Sequence, residues 1–178
     1  MRFHTKEFQN ALTPEAAYEV LVDGNKRFVN NLKLNRNLLD QMEETSTGQF
    51  PFAAVLSCMD SRTSVELIFD QGLGEIFSLR VAGNVVNKDI IGSLEYACKV
   101  AGSKLIVVLG HTRCGAIRGN KAFAGGGVAR DGGGSLGIDV VGLASSRAGS
   151  LLQGDLGWAR DCGQTNQLCS RKRWVIGR

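Results

Sequence analysis

The amino-acid sequence predicts an α/β fold, a parallel sheet with flanking helices. Three short apolar runs, at 52–57, 75–81 and 104–110, read as strands, and continuous apolar runs are typical of parallel strands buried on both faces. Helical patterns lie between them, at 63–70 and 88–101. This alternation of strand and helix favours a parallel sheet with right-handed crossovers. Ligands of such sheets collect at the carboxyl ends of the strands.

A helix is predicted to precede the sheet. Thr13-Pro14-Glu15 is a helix start, with an N-cap residue, a proline in the first turn and an acid near the positive end. Apolar residues follow at helical spacing, although Gly24 interrupts their stripe. Residues 40–50 are polar, and we expect a connection there. The apolar residues of the stripe are Ala17, Val20, Leu21, Phe28 and Leu32.

Composition sets the class of protein. With 178 residues, 43% hydrophobic and 21% charged, the chain suits one soluble globular domain. It has no apolar run near the ~18 residues of a membrane span and no signal-like start, so we expect a cytoplasmic protein. The net charge of +4 arises after residue 119, which is weak support for nucleic-acid binding, and none is expected.

The last 59 residues differ from the rest. Residues 120–178 hold 13 of the 23 glycines and lack Glu, Tyr, Pro, Met and His. We therefore divide the chain into a core over 1–119 and a divergent, glycine-rich tail over 120–178. The tail is either poorly ordered or the product of a frameshift. Cys162 and Cys169 are not spaced like zinc-ribbon ligands.

Two motifs follow predicted strands. Ser57–Arg62 comes after the first strand, and Gly110–Gly115 comes after the third. They place Cys58, His111 and Cys114 at one sheet edge, and three N/S ligands suit a catalytic zinc site. Taken singly, each cysteine could be a small buried hydrophobe, which is our interpretation of Cys98 in its helix.

The two motifs resemble those of the β-class carbonic anhydrases. Cys-x-Asp-x-Arg at 58–62 and Gly-His-x-x-Cys-Gly at 110–115 match the family pattern, and the likeness covers roughly residues 11–119. The segment 80–86 is similar to the family's Arg-Asn-x-x-Asn segment, except that Val81 replaces the usual Asn. The resemblance implies zinc held by Cys58, His111 and Cys114.

The resemblance also implies a reaction and a site. The reaction is the reversible hydration of carbon dioxide to bicarbonate and a proton. Asp60 and Arg62 would form a catalytic dyad, in which Asp60 either orients the nucleophile or closes the site as a fourth ligand. A homodimer or higher homo-oligomer is expected, with pocket residues crossing between subunits. The implied substrate-binding residues are Gln49, Phe77, Tyr96 and Gly115.

Three alternatives remain open at this point. The atypical tail is compatible with a zinc-binding remnant of low activity. A related site could act on another small cumulated molecule, such as carbon disulfide. Phe77 and Tyr96 could be ordinary packing residues rather than pocket residues.

Overall fold

The computed structural model describes residues 5–111, 113–118, 136–139 and 173–176. Six helices lie in these ranges: α1 (Lys6–Ala11), α2 (Pro14–Val29), α3 (Leu38–Thr45), α4 (Val65–Ile68), α5 (Lys88–Glu95) and α6 (Gly115–Arg118). The strands are β1 (Ala53–Ser57), β2 (Ile76–Arg80), β3 (Leu105–Leu109), β4 (Leu136–Asp139) and β5 (Arg173–Ile176). Short 3₁₀ turns at Ser61–Thr63 and Ala82–Asn84 follow β1 and β2.

The predicted parallel sheet is confirmed. Its order is β2-β1-β3, with both pairs parallel. In register, Ser57 lies beside Arg80 on one side and Leu109 on the other. All three strands therefore end at one level, and the loops that follow them emerge at one edge of the sheet.

Helices cover the sheet on both faces. On one face, Val55 and Val107 pack with Leu21 of α2 and Ile68 of α4. On the other face, Ala54 packs in a smaller cluster with side chains from α5 and the turn after it, and β1 is fully buried. This burial explains why the strand is apolar at every position before Ser57.

The helix predicted at Thr13 is confirmed. The Thr13 side chain accepts a hydrogen bond from the Ala16 amide at 3.2 Å, and Pro14 opens α2. The glycine that interrupts the apolar stripe has a packing role: a β-carbon on Gly24 would lie 1.7 Å from the Phe69 carbonyl oxygen. The absence of a side chain lets α2 approach the backbone after α4. Leu32 lies beyond the helix and is exposed.

The polar connection expected over 40–50 is wrong for its first half. Helix α3 occupies Leu38–Thr45, with Asn37 as its N-cap. Gln41 is buried and accepts a hydrogen bond from the Leu73 amide at 3.1 Å. The buried face is thus anchored by an amide rather than by apolar residues, which is why hydrophobic periodicity did not reveal the helix.

The helix predicted over 88–101 is divided. Regular α-helix α5 ends at Glu95, and a π-helical turn covers Tyr96–Val100. Because this changes the periodicity, Ala97 is buried beside Leu94, whereas Cys98 is half-buried. Burial raises the pKa of the Cys98 thiol.

A buried carboxylate ties α2 to the end of α4. Asp70 is 4% exposed and has a left-handed backbone, with φ of 45°. It accepts hydrogen bonds from Arg27 Nε at 2.5 Å and Arg36 Nη1 at 2.6 Å. The pair of arginines fixes the chain that leads from α2 to α3.

Two short strands lie in the glycine-rich region. Leu136–Asp139 and Arg173–Ile176 pair antiparallel, where the sequence suggested no regular element. The other residues of 120–178 lie outside the described residues, and the prediction of a poorly ordered tail concerns those residues. Among the helices of the described ranges, none is long and apolar enough to cross a lipid bilayer.

Candidate metal centre

The sheet edge brings the two sequence motifs together. Cys58 directly follows β1, and His111 follows β3 by two residues; Cys114 precedes α6. Their ligand atoms lie within 4.8 Å of one another, and the two sulfurs are 3.8 Å apart. The three side chains are almost fully buried, with 3%, 6% and 2% of Cys58, His111 and Cys114 exposed. Such a compact, buried N/S cluster could hold one metal ion.

Asp60 and Arg62 form a bidentate ion pair beside the cluster. Arg62 Nε donates to Asp60 Oδ1 at 2.9 Å, and Nη2 donates to Oδ2 at 2.7 Å. The Arg62 backbone amide adds a third bond to Oδ1 at 3.0 Å. These hydrogen bonds, the side-chain ones first, hold the pKa of Asp60 well below its usual range. The carboxylate is therefore ionised at neutral pH and can only accept hydrogen bonds.

The pair reaches the cluster through His111. Arg62 Nη2 lies 3.4 Å from His111 Nδ1, and Asp60 Oδ2 lies 4.0 Å from His111 Nε2. In this structure Asp60 is paired with Arg62, and the cluster of candidate ligands in the described residues consists of Cys58, His111 and Cys114.

Two residues to which the sequence assigned no role hold the loop after β1. Thr63 Oγ1, which has one proton to donate, lies 2.7 Å from the Cys58 carbonyl oxygen and 2.8 Å from the Asp60 carbonyl oxygen. Arg80 donates to the carbonyls of Cys58 at 3.2 Å, Met59 at 3.1 Å and Asp60 at 2.6 Å. The position of Arg80 at the end of the neighbouring strand is the sequence signal that could have revealed this role. The loop after β1 turns there and presents backbone carbonyls that a cationic side chain can bind.

Other predicted residues lie elsewhere in this chain. Gln49 lines an open cleft with Thr45 and Gly74 at the amino end of the sheet, away from Cys58. Phe77 packs in the cluster between the sheet and α5. Tyr96 is 56% exposed in the π-helical turn. Gly115, by contrast, starts α6 directly after Cys114.

The part of the chain that contains β1 to β3 and the three candidate ligands matches a known family model. Residues 53–131 match the family model described as carbonic anhydrase. Over these residues the chain is similar to the carbonic anhydrase family. The resemblance to the β class is thus confirmed, and the match ends at Asp131, beyond Gly119.

Named carbonic anhydrases are similar over about 110 residues. Carbonic anhydrase 2 of Mycobacterium tuberculosis is 45% identical over 112 residues, which cover 62% of this chain and 53% of that protein. The carbonic anhydrase of Mycolicibacterium smegmatis is 44% identical over 106 residues, covering 59% and 52%. The chain spans about half the length of the relatives that it matches.

Solved structures include similar carbonic anhydrases. The β-carbonic anhydrase CcaA aligns with a TM-score of 0.43 and 29% identity, covering 57% of this chain and 52% of that one. The Coccomyxa β-carbonic anhydrase aligns with a TM-score of 0.39 and 29% identity, covering 53% and 43%.

Proposed function

We propose that this chain catalyses the reversible hydration of carbon dioxide, CO₂ + H₂O ⇌ HCO₃⁻ + H⁺, with zinc held by Cys58, His111 and Cys114. The observation that carries the proposal is the buried Cys-His-Cys cluster beside an Asp-Arg pair. The 45% identity to a protein named carbonic anhydrase supports the choice of reaction.

The donor set favours zinc over other ions. Zinc accepts thiolate and imidazole ligands, whereas magnesium and calcium take oxygen ligands. Two sulfurs about 2.3 Å from one tetrahedral ion would be about 3.8 Å apart, and the Cys58 and Cys114 sulfurs are separated by 3.8 Å. Three protein ligands leave a fourth position, as in catalytic zinc sites. When bound, zinc would supply a Lewis acid that lowers the pKa of a bound water from ~15.7 toward ~7.

Asp60 is the residue that we assign to orienting the attacking water. Arg62 occupies Oδ1 twice and Oδ2 once, so Oδ2 retains the freer lone pair, and it lies 4.0 Å from His111 Nε2. An ionised carboxylate accepts a hydrogen bond from a water. This bond orients the water so that a lone pair on the water oxygen points toward the carbon of carbon dioxide. Arg62 keeps Asp60 ionised and in place through its paired bonds.

We assign the formation of the pocket to a homodimer or higher homo-oligomer. Gln49 and Phe77 lie away from Cys58 within one chain, and Tyr96 presents an exposed ring. A second subunit would have to supply these side chains if they contact substrate. Light scattering on the purified chain measures the oligomeric state directly, and a monomer with full activity would contradict this assignment.

Stopped-flow carbon dioxide hydration tests the function, with zinc content measured on the same sample. We expect about one zinc per chain and a rate far above that of buffer, lost with a chelator and restored by zinc. Because Cys58 and Cys114 as thiolates formally cancel the 2+ charge, we expect the rate to rise toward alkaline pH. Stoichiometric zinc with a buffer-level rate would contradict the function and leave a metal-binding remnant.

A further inference from the structure

The turn that follows β2 contacts every segment that carries the candidate ligands. The Val81 amide donates to the Ser57 carbonyl at 3.1 Å, one residue before Cys58. Helix α6, which begins after Cys114, packs against the turn Ala82–Asn84. The third segment, which leads to His111, is reached by a side chain of this turn. The turn thus lies where it can set the relative positions of the three ligands.

Asn84 makes the contact to the third segment. Its Nδ2 donates to the Leu109 carbonyl at 2.8 Å, although 25 residues separate the two in sequence. Asn84 is 1% exposed, and its Oδ1 is buried without a hydrogen-bond partner in the described part of the chain. A buried, unpaired acceptor lowers the stability of the fold. Within the described residues, the hydrogen bond from Nδ2 to the Leu109 carbonyl is therefore the polar interaction by which the Asn84 side chain stabilises the structure.

The backbone of Asn84 is adapted to this contact. Its φ is 56°, directly after Gly83 with φ of 67°, and its amide donates to the Val81 carbonyl at 3.1 Å. Among residues with a side chain, asparagine enters this left-handed region most readily. The turn therefore points a carboxamide inward at a place where a branched residue would be strained.

One glycine separates the anchored carbonyl from His111. Gly110 has more backbone freedom than any other residue type would have, so β3 alone does not fix the direction in which His111 leaves the sheet. A β-carbon on Gly110 would lie 3.8 Å from Asn84 Nδ2, so the same amide packs beside Gly110. Asn84 thus restrains both the last residue of the strand and the flexible residue after it.

We propose that Asn84 is a positioning residue that fixes His111 relative to Cys58 and so sets the metal affinity of the cluster. The proposal rests on the metal centre assigned above. It requires no contact between Asn84 and the metal or the substrate, because Asn84 acts through the end of β3. Residues that orient ligands in this way typically change metal affinity by about 10- to 100-fold when they are replaced.

Asn84→Gly in the full chain tests the proposal. Glycine keeps the left-handed backbone and removes only the carboxamide. Asn25→Ala is the matched control, because Asn25 is 5% exposed and its Nδ2 donates to the Ile68 carbonyl at 3.1 Å, away from the cluster. The measurements are Zn²⁺ affinity by chelator competition, the visible spectrum of the Co²⁺-loaded protein, and thermal unfolding.

We expect Asn84→Gly to weaken zinc binding by about 10- to 100-fold and to change the Co²⁺ spectrum. Asn25→Ala should unfold at lower temperature yet keep the affinity and spectrum of the wild type. Unchanged zinc affinity in Asn84→Gly, or an equal loss in Asn25→Ala, would overturn the proposal.

Asn84→Asp provides a second variant of the same shape that cannot donate to Leu109 when ionised. A folded Asn84→Asp chain with wild-type metal affinity would also overturn the proposal. If neither variant folds, Asn84 serves the fold as a whole and the positioning role is wrong. A wild-type chain that binds zinc but does not hydrate carbon dioxide contradicts the proposed function alone. The zinc affinities of the wild type and the Asn84 variants can still be compared in that case, so the positioning role of Asn84 is tested separately.

Discussion

Arg62 holds Asp60 through two parallel side-chain hydrogen bonds of 2.9 and 2.7 Å. This geometry fixes the plane of the carboxylate as well as its charge. With 24% of Asp60 and 46% of Arg62 exposed, water and small molecules can reach the pair. The pair is thus suited to chemistry next to the buried cluster rather than to stabilising the core.

Asp60→Asn should retain zinc and lose activity. The amide cannot accept the three hydrogen bonds that Arg62 donates to the carboxylate and a further one from a water. We therefore expect turnover to fall by about 10²-fold or more, the usual range for a positioned acid–base group. Stopped-flow hydration with zinc analysis checks this. The matched control is Asp23→Asn, which removes an exposed pair with Lys26 at 2.8 Å on α2 and should leave turnover unchanged. Undiminished turnover in Asp60→Asn would contradict the dyad.

Replacing a cluster cysteine should remove the metal. Cys58→Ala or Cys114→Ala leaves two ligands, too few for a structural or catalytic zinc site. Cys98→Ala is the control, since Cys98 lies in the π-helical turn and is not part of the cluster. Zinc content of the purified chains decides the matter. Full zinc in Cys58→Ala, or a loss in Cys98→Ala, would show that the ligands are assigned wrongly.

Asp70→Asn should destabilise the fold in a pH-dependent way. Burial alone would raise the pKa of Asp70, but hydrogen bonds from Arg27 and Arg36 outweigh it and hold the pKa below its usual range. Its contribution is therefore present above the unfolded pKa of ~3.9 and lost as pH falls through the lower folded value. At pH 7 we expect a loss of about 2 kcal/mol, because Arg27 and Arg36 lose hydrogen bonds to a charged carboxylate. Arg36 keeps its contact with Glu75 at 3.9 Å, and both arginines keep the Asp70 main-chain carbonyl.

Urea unfolding of wild type and Asp70→Asn across pH 7 to 3 measures this effect. Asparagine tolerates the left-handed φ of 45° at this position, so the charge is the main change. The difference in stability should shrink as the pH falls below ~4. A difference that is constant with pH would place the effect in packing instead. Asp23→Asn again serves as the exposed control. Lys26 lowers the pKa of Asp23, so its effect has the same sign, but we expect a smaller pH-dependent difference because the pair is exposed to solvent.

Gly24→Ala and Gly92→Ala should have opposite effects on stability. A β-carbon at Gly24 meets the Phe69 carbonyl at 1.7 Å, whereas one at Gly92 in α5 meets no atom within 4 Å. We expect Gly24→Ala to cost about 1–3 kcal/mol through overpacking and Gly92→Ala to gain about 0.5–1 kcal/mol through helix propensity. Chemical denaturation measures both. A stabilising Gly24→Ala would mean that α2 does not approach Phe69 so closely.

Local patterns predicted the sheet and the identity of the candidate ligands. The three strands agree with the predictions to within a residue at each end, because strands buried on both faces are apolar throughout. Helix α3 escaped detection because its buried residue is Gln41. Likewise, the π-helical turn at Tyr96 shifts the buried face from Cys98 to Ala97, and hydrophobic spacing gives no sign of such a shift.

The sequence by itself determined which residue types occupy the ends of the strands, and hence the candidate Cys-His-Cys donor set. That set follows from residue types and spacing within short segments, whereas the pairing of Asp60 with Arg62 was implied by the resemblance to the β-class carbonic anhydrases. Only the tertiary structure decided that Arg80 holds the carbonyls after β1, that Asn84 anchors the carbonyl before Gly110, and that Gly24 meets Phe69. Each of these contacts joins segments at least 20 residues apart. Their geometry depends on how strands and helices pack, which no local pattern encodes.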